Sequence, residues 1–350
     1  MRLVILETGV LALLGGSLFA CSAMPLPWML GAVTALLLWN TTTRRKVRWP
    51  VSFCYAGMLV IGYSVGRTFT PSTLANVAAN LGAMLAATVG VILFSLLLGW
   101  FTHRHTGISL ATGLIGTLPG GLSQVTILCR EIKETDLTVV LFMQTFRLLA
   151  VIFVVPFVAI KGLGGTAAAV AILPGSQITL SLPQVVLLAA LIALGGFIAR
   201  FLRLPTPFLL GPILMAAGIV LSGFPVPPAP KPWLNAAQLS VGAYTGARVQ
   251  LADLKNWRKL LPHTILNVVA LMLLCLGFGW FLERWGGLDI ATAFLSMAPG
   301  GMAEMSLTAM TIGADLSAIV AFQLFRLLFL LLIATPLLKM WLLRVQQKRL

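Results

Sequence analysis

The chain has 350 residues, 59% of them hydrophobic and only 9% charged, with a mean hydropathy of +1.00. A soluble globular domain has about a quarter of its residues charged, so this composition excludes one and predicts an all-α integral membrane protein. The net charge of +15 raises nucleic acid as a partner. The basic residues, however, stand in short clusters between apolar runs, as the positive-inside rule requires, and no helix-turn-helix or comparable module lies outside those runs.

A membrane-crossing helix needs about 20 apolar residues. In chain order, the apolar runs predict spans near 3–21, 26–40, 50–68, 74–101 and 137–160, then 183–200, 207–222, 235–250, 262–282 and 316–341. The first run, with Arg2 before it and Leu18-Phe19-Ala20-Cys21 at its end, has some features of a lipoprotein signal. Phe19 and Glu7 fit such a signal poorly, and the run has a counterpart inside the chain at 183–201, so it is expected to be a retained helix. The short runs 26–40 and 207–222 open with Pro-x-Pro, and proline suits a first helical turn. Cys21, Cys54, Cys129 and Cys275 show no metal-ligand spacing and read as small hydrophobes.

The chain repeats itself at an offset of 180 residues, which slips by one after the Pro-Gly-Gly stretch. Gly15-Gly16 matches Gly195-Gly196, Pro25-x-Pro27 matches Pro205-x-Pro207, and Leu30-Gly31 matches Leu210-Gly211. Gly62 and Gly66 match Gly242 and Gly246, and Gly99-Trp100-Phe101 matches Gly279-Trp280-Phe281. Residues 1–170 and 181–350 therefore read as two copies of one membrane unit, joined by a linker over 171–180. Two further segments, 107–130 and 287–312, are interrupted by Pro119-Gly120-Gly121 and Pro299-Gly300-Gly301. Each reads as two half-length helices meeting at the break in a re-entrant segment.

Charge orients this arrangement. With the N-terminus in the cytoplasm, Arg44, Arg45, Lys46, Arg48, Arg104, Arg130, Lys133, Arg200, Arg203, Lys255, Arg258, Lys259 and the basic C-terminus all fall inside. Five full spans per copy is an odd number, so the second copy is inverted relative to the first, a pattern of many secondary transporters. The competing arrangement lets each broken segment cross fully, giving parallel copies, and places Arg200 and Arg203 outside.

The breaks are the candidate site. Proline ends the preceding helix and glycine opens backbone geometries closed to other residues. Unpaired backbone in hydrocarbon is tolerated only where protein or a watery cavity covers it. The helix that follows points its positive dipole end at the break. Polar residues follow at once: Ser123 and Gln124 in the first copy, Glu304 and Ser306 in the second. Gln144 and Arg147 match Gln323 and Arg326 on the next helix, where each arginine is about ten residues, roughly 15 Å, into its span. Three-residue spacing puts each glutamine on its arginine's helix face. One reading is a cavity in which arginine binds an anion or carboxylate; the other is a clamp in which arginine donates to carbonyls exposed at the break. Glu304, where the first copy has Gln124, is either a proton- or cation-carrying group or the partner of Arg147 or Arg326 in an ion pair. Asp136 and Asp315 read as helix N-caps. His103, His105 and His263 form no metal set, GxxxxGK[ST] is absent, and no nucleophile–base pair is evident. No enzyme, metal or cofactor is therefore expected.

The duplicated Pro-x-Pro entry, the Pro-Gly-Gly break, the following Asp and the Gln-x-Phe-Arg cluster cover almost the whole chain and resemble the AbrB family of duplicated bacterial inner-membrane proteins. That family is distinct from the small DNA-binding regulator of the same name. The resemblance implies roughly ten spans in the inner membrane. It also brings two labels, ammonia monooxygenase and regulation of expression of aidB, a stress-response gene. By analogy, the fold is similar to that of cation:proton antiporters and anion transporters. The leading expectation is a secondary transporter or exporter of a small anionic or zwitterionic metabolite coupled to H⁺ or Na⁺. Its partners would be the lipid bilayer and that small molecule, with a homodimer as a further candidate. A membrane regulator without transport is the alternative, and a monooxygenase a third reading.

Overall fold

The computed structural model describes residues 2–22, 24–43, 45, 47–120, 122–132, 134–163, 181–224, 226–249 and 257–347. The expected linker over 171–180 lies outside them. The described residues are helical, with no strand among them. The first half contains α1 (Arg2–Cys21), α2 (Pro27–Thr43), α3 (Val51–Gly66), α4 (Pro71–Ala79), α5 (Leu81–Thr106), α6 (Leu110–Thr117), α7 (Leu122–Glu131) and α8 (Leu137–Phe157). The second contains α9 (Leu182–Phe201), α10 (Pro207–Leu221), α11 (Lys231–Arg248), α12 (Trp257–Gly286), α13 (Ile290–Met297), α14 (Met302–Ile312), α15 (Leu316–Phe329) and α16 (Thr335–Gln347). A π-helical turn, Val158–Gly162, extends α8, and another, Leu330–Ala334, joins α15 to α16.

Six stretches among the described residues are long and apolar enough to cross a bilayer: Leu3–Cys21, Leu81–Thr106, Leu137–Gly162, Pro183–Phe201, Arg258–Arg284 and Leu316–Val345. Val51–Gly66 and Pro207–Leu221 are shorter apolar helices. The run expected over 74–101 is divided at Asn80 into α4 and α5.

The contacts group the chain into two compact units, each assembled from both halves. One comprises Met1–Ala78, Pro156–Gln250 and Ser306–Ala318; the other comprises Ala79–Val155, Leu251–Met305 and Ile319–Leu350. In the first unit, small residues let helix backbones touch, the usual basis of helix association where lipid supplies no hydrophobic drive. Gly15 of α1 lies against Gly31 of α2, and Gly195 of α9 against Gly211 of α10. A Cβ added at Gly62 of α3 would stand 2.5 Å from the Leu209 carbonyl oxygen of α10. One added at Gly242 of α11 would stand 2.5 Å from the Met29 carbonyl oxygen of α2. First-half α3 thus packs on second-half α10, and second-half α11 on first-half α2. Trp49 Nε1 donates to Ser240 Oγ at 3.1 Å, and Tyr63 donates its hydroxyl to the Pro227 carbonyl.

The second unit holds the first interrupted segment and, of the second, the part as far as Met305. Gly107 (φ +75°) and Gly287 (φ +64°), matching positions in the two halves, take the left-handed conformation just beyond α5 and α12. Such a conformation closes a helix C-terminus at little cost only in glycine. The chain then turns into α6 and α13. Ser109 caps α6 by accepting from the Thr112 amide at 3.1 Å, and Asp289 caps α13 by accepting from the Ala291 amide at 3.1 Å. Ile115 of α6, Val125 and Leu128 of α7, Val140 of α8 and Leu338 and Leu342 of α16 share one buried cluster.

Candidate functional site: two broken helices and their glutamine–arginine pairs

A helix leaves its last four carbonyls without internal partners, and a buried helix end must find them elsewhere. Both α6 and α13 stop at a proline inside the protein, and the same device solves the problem twice. Gln144 Nε2 donates to the carbonyls of Ile115 (3.1 Å), Gly116 (3.1 Å) and Leu118 (2.9 Å). Arg147 Nη1 donates to Leu118 O (2.8 Å) and Thr117 O (3.5 Å), and its Nη2 to Gly120 O (3.2 Å). In the other half, Gln323 Nε2 donates to the carbonyls of Leu295 (2.9 Å), Ser296 (3.4 Å) and Ala298 (3.1 Å). Arg326 Nη1 donates to Met297 O (2.8 Å) and Ala298 O (2.9 Å), and its Nη2 to Gly300 O (3.4 Å). The last-turn carbonyls of each half-helix are all engaged, and the positive guanidinium stands at the negative end of the helix dipole.

The three-residue spacing of Gln and Arg serves this purpose. Two side chains on one helix face cover two successive stretches of carbonyls at the break. The clamp reading is therefore what the hydrogen bonds display. The two copies differ in one contact: Arg326 Nη2 also donates to Gln323 Oε1 at 2.5 Å, whereas Gln144 Oε1 has no hydrogen-bond partner among the described residues.

Among the described residues, neither arginine has a carboxylate within 4.0 Å; Lys339 and Glu131 form an ion pair elsewhere, at 2.9 Å and partly exposed. Glu304 stands in the first turn of α14, with its carboxylate folded back against Gly301. A negative group at a helix N-terminus is favourably placed. Ser306, on the same helix, is fully buried, and its hydroxyl has no partner among the described residues. Ser123 and Gln124 lie in the first turn of α7; their side chains, and Gly121, lie outside the described residues. Pro119 and Gly120 form the first break, and Pro299, Gly300 and Gly301 the second. A Cβ at Gly300 would come within 2.9 Å of Val151, one turn beyond Arg147 on α8, so the second break packs on the helix that clamps the first.

Asp136 accepts from the amides of Thr138 (2.9 Å) and Val139 (3.2 Å), and Asp315 from those of Ser317 (3.0 Å) and Ala318 (3.1 Å). Both cap their helices. Reading the residues alone overlooked Thr112, whose hydroxyl accepts from the Asp136 amide at 2.9 Å and ties α6 to the start of α8. It also overlooked Thr117, which donates to the Ser95 carbonyl at 2.7 Å. Threonines that bond to their own helix are common in apolar runs, so neither gives a sequence signal. No group of three or more His, Cys, Asp or Glu that could hold a metal occurs among the described residues.

Apolar helices of spanning length and two interrupted helices clamped from within define a helical membrane protein. The chain belongs to the AbrB family: the family model described as "Transition state regulatory protein AbrB" matches residues 28–342. It is 29% identical over 326 residues to the Escherichia coli (strain K12) protein named "Putative regulator AbrB", covering 92% of each chain. It is 24% identical over 346 residues to "Uncharacterized protein YhjN" of Bacillus subtilis (strain 168), covering 92% of this chain and 89% of that one.

Proposed function

We propose that this chain is a secondary transporter or exporter of a small anionic or zwitterionic metabolite, coupled to H⁺ or Na⁺. The observation that carries the reading is the pair of inward-placed guanidiniums, Arg147 and Arg326, with no carboxylate within 4.0 Å among the described residues. Each is offset only by the carbonyl ends of a half-helix, worth about half an elementary charge. The half-helices that leave the breaks add two positive ends. The result is a positive centre in an apolar protein, suited to a carboxylate or other anion.

In this reading the two halves are inverted repeats of ten helical spans in all, with re-entrant breaks, in a bacterial inner membrane with both termini cytoplasmic. Arg147 and Arg326 hold the anion's field while Gln144 and Gln323 keep the breaks open. Ser123, Gln124 and Ser306 supply polar contacts, and Glu304 carries the coupling proton or cation. No cofactor takes part.

The regulator named by the family description and by the E. coli relative supports a second reading, in which the chain alters gene expression without moving a solute. The two separate in proteoliposomes loaded with a panel of small carboxylates and amino acids. Wild type moves at least one of them, and Arg326→Ala and Glu304→Gln, shown to be folded, slow it at least tenfold. No movement of any solute by wild type contradicts transport, and variants as fast as wild type contradict the roles given to Arg326 and Glu304. Single cysteines at 161 and 203 should label from opposite sides of the membrane; labelling from one side contradicts the inverted arrangement.

A further inference from the structure

A small cavity in the second unit lies beside the first break, between α5, α6, α8 and α12. Its volume is about 20 Å³, and Ser95, Thr117, Arg147, Thr264 and Asn267 line it together with apolar side chains. Roughly 10–15 Å³ holds one water-sized group, so the cavity takes one such group and no whole metabolite. Three buried polar atoms of its lining have no hydrogen-bond partner among the described residues: Ser95 Oγ, Arg147 Nε and Asn267 Oδ1. Ser95 is 0% exposed and Asn267 6%. Buried polar atoms left unmet destabilise a protein, so native structures nearly always give them a partner.

The chemistry of the three atoms is complementary rather than alike. Arg147 Nε is a donor only, and Ser95 Oγ both donates and accepts. The orientation of Asn267 is set by its neighbour. Thr102 Oγ1 spends its proton on the Leu98 carbonyl at 2.8 Å, so towards Asn267 it can only accept. The Asn267 amide nitrogen accordingly donates to Thr102 at 2.8 Å, and Oδ1 is left as an acceptor. A bare anion here would meet the Asn267 oxygen, and a metal cation would meet the guanidinium. A group that accepts and donates at once satisfies both.

We propose that this cavity binds one protic oxygen, an O–H that accepts from Arg147 Nε and donates to Asn267 Oδ1, with Ser95 as its third partner. Its source is either a water molecule or the hydroxyl end of a solute. The site is lined from both halves and has no counterpart at the matching positions. At the matching positions, Ser95 is replaced by Cys275, Asn267 by Ala87, Thr264 by Met84 and Thr117 by Met297. There the interhelical bond runs the other way, from Cys275 Sγ to the Met297 carbonyl at 3.2 Å. The two breaks thus share a clamp but not this pocket.

Ser95→Ala in the full-length purified chain tests the site by the sign of its effect, since its hydroxyl has no other partner among the described residues, whereas any Asn267 truncation would also break the bond to Thr102. If an O–H is bound, the variant removes one of its partners and lowers the thermal midpoint by a few degrees. If none is bound, it removes an unsatisfied buried polar atom, and a midpoint that stays put or rises overturns the proposal. High-resolution maps of the wild type in solute-free buffer and with ethanol separate the sources. A peak within hydrogen-bond distance of Arg147 Nε and Asn267 Oδ1 in both maps, unchanged by ethanol, identifies water. Density that grows a tail with ethanol identifies a site for solute hydroxyls. No peak in either map also overturns the proposal.

Discussion

Gln323→Leu measures the clamp directly. The side chain is 2% exposed, and leucine keeps its approximate size while removing every polar atom. Two N–H protons are shared among three carbonyls at 2.9, 3.1 and 3.4 Å, so two full bonds are lost. Oε1 also accepts from Arg326 at 2.5 Å, a charge-assisted bond. With about 1 kcal/mol for each neutral bond and about 2 for the charged one, the variant should lose about 4 kcal/mol of stability. Water cannot repair the loss, because the carbonyls are the buried last turn of α13. Gln144→Leu loses the same two carbonyl bonds but no bond to an arginine, so about 2 kcal/mol is expected. Reversible unfolding in mixed detergent micelles reads both values. Losses under about 1 kcal/mol in both variants, or a larger loss for Gln144→Leu, would refute the idea that these glutamines exist to satisfy broken helix ends.

The packing of the first unit makes a different prediction. Gly62→Val would drive its side chain into the Leu209 carbonyl and Pro212 of α10 and should cost about 1–3 kcal/mol, whereas Gly82→Ala, with nothing within 4 Å, should be neutral or slightly stabilising. Asp136→Ala and Asp315→Ala should each cost about 1 kcal/mol, seen as earlier unfolding in the same micelles, since each removes a cap that accepts two amides. Glu131→Ala should change stability by less than about 1 kcal/mol, because its bond to Lys339 is 38% and 43% exposed on the two sides. A larger loss there would mean the pair is shielded from solvent.

The breaks were legible because proline followed by two glycines is out of place in an apolar run, and because both halves show it with Gln-x-x-Arg after it. The direction in which the arginines point was not. A buried arginine in sequence looks the same whether it faces a solute or a carbonyl, and only the positions of α6 and α13 decide which carbonyls it can reach. Nor was the grouping of helices into two units legible. It depends on which glycine faces which backbone, and Gly62 meets Leu209 across the two halves while Gly15 meets Gly31 within one. The pocket at Ser95 was hidden for a third reason. Single hydroxyls in apolar helices usually bond to their own backbone, so an unmatched one shows only in three dimensions.

The central claim is coupled transport, with Glu304 as the group through which the ion acts. Proteoliposomes carrying wild type, given an inward proton gradient or, separately, a sodium gradient, should accumulate a small carboxylate or amino acid above its outside concentration. Glu304→Gln in the same vesicles should exchange the solute across the membrane at least tenfold more slowly and not concentrate it under either gradient. Accumulation by Glu304→Gln equal to that of wild type, or a wild type that moves no solute under any gradient, would contradict the claim.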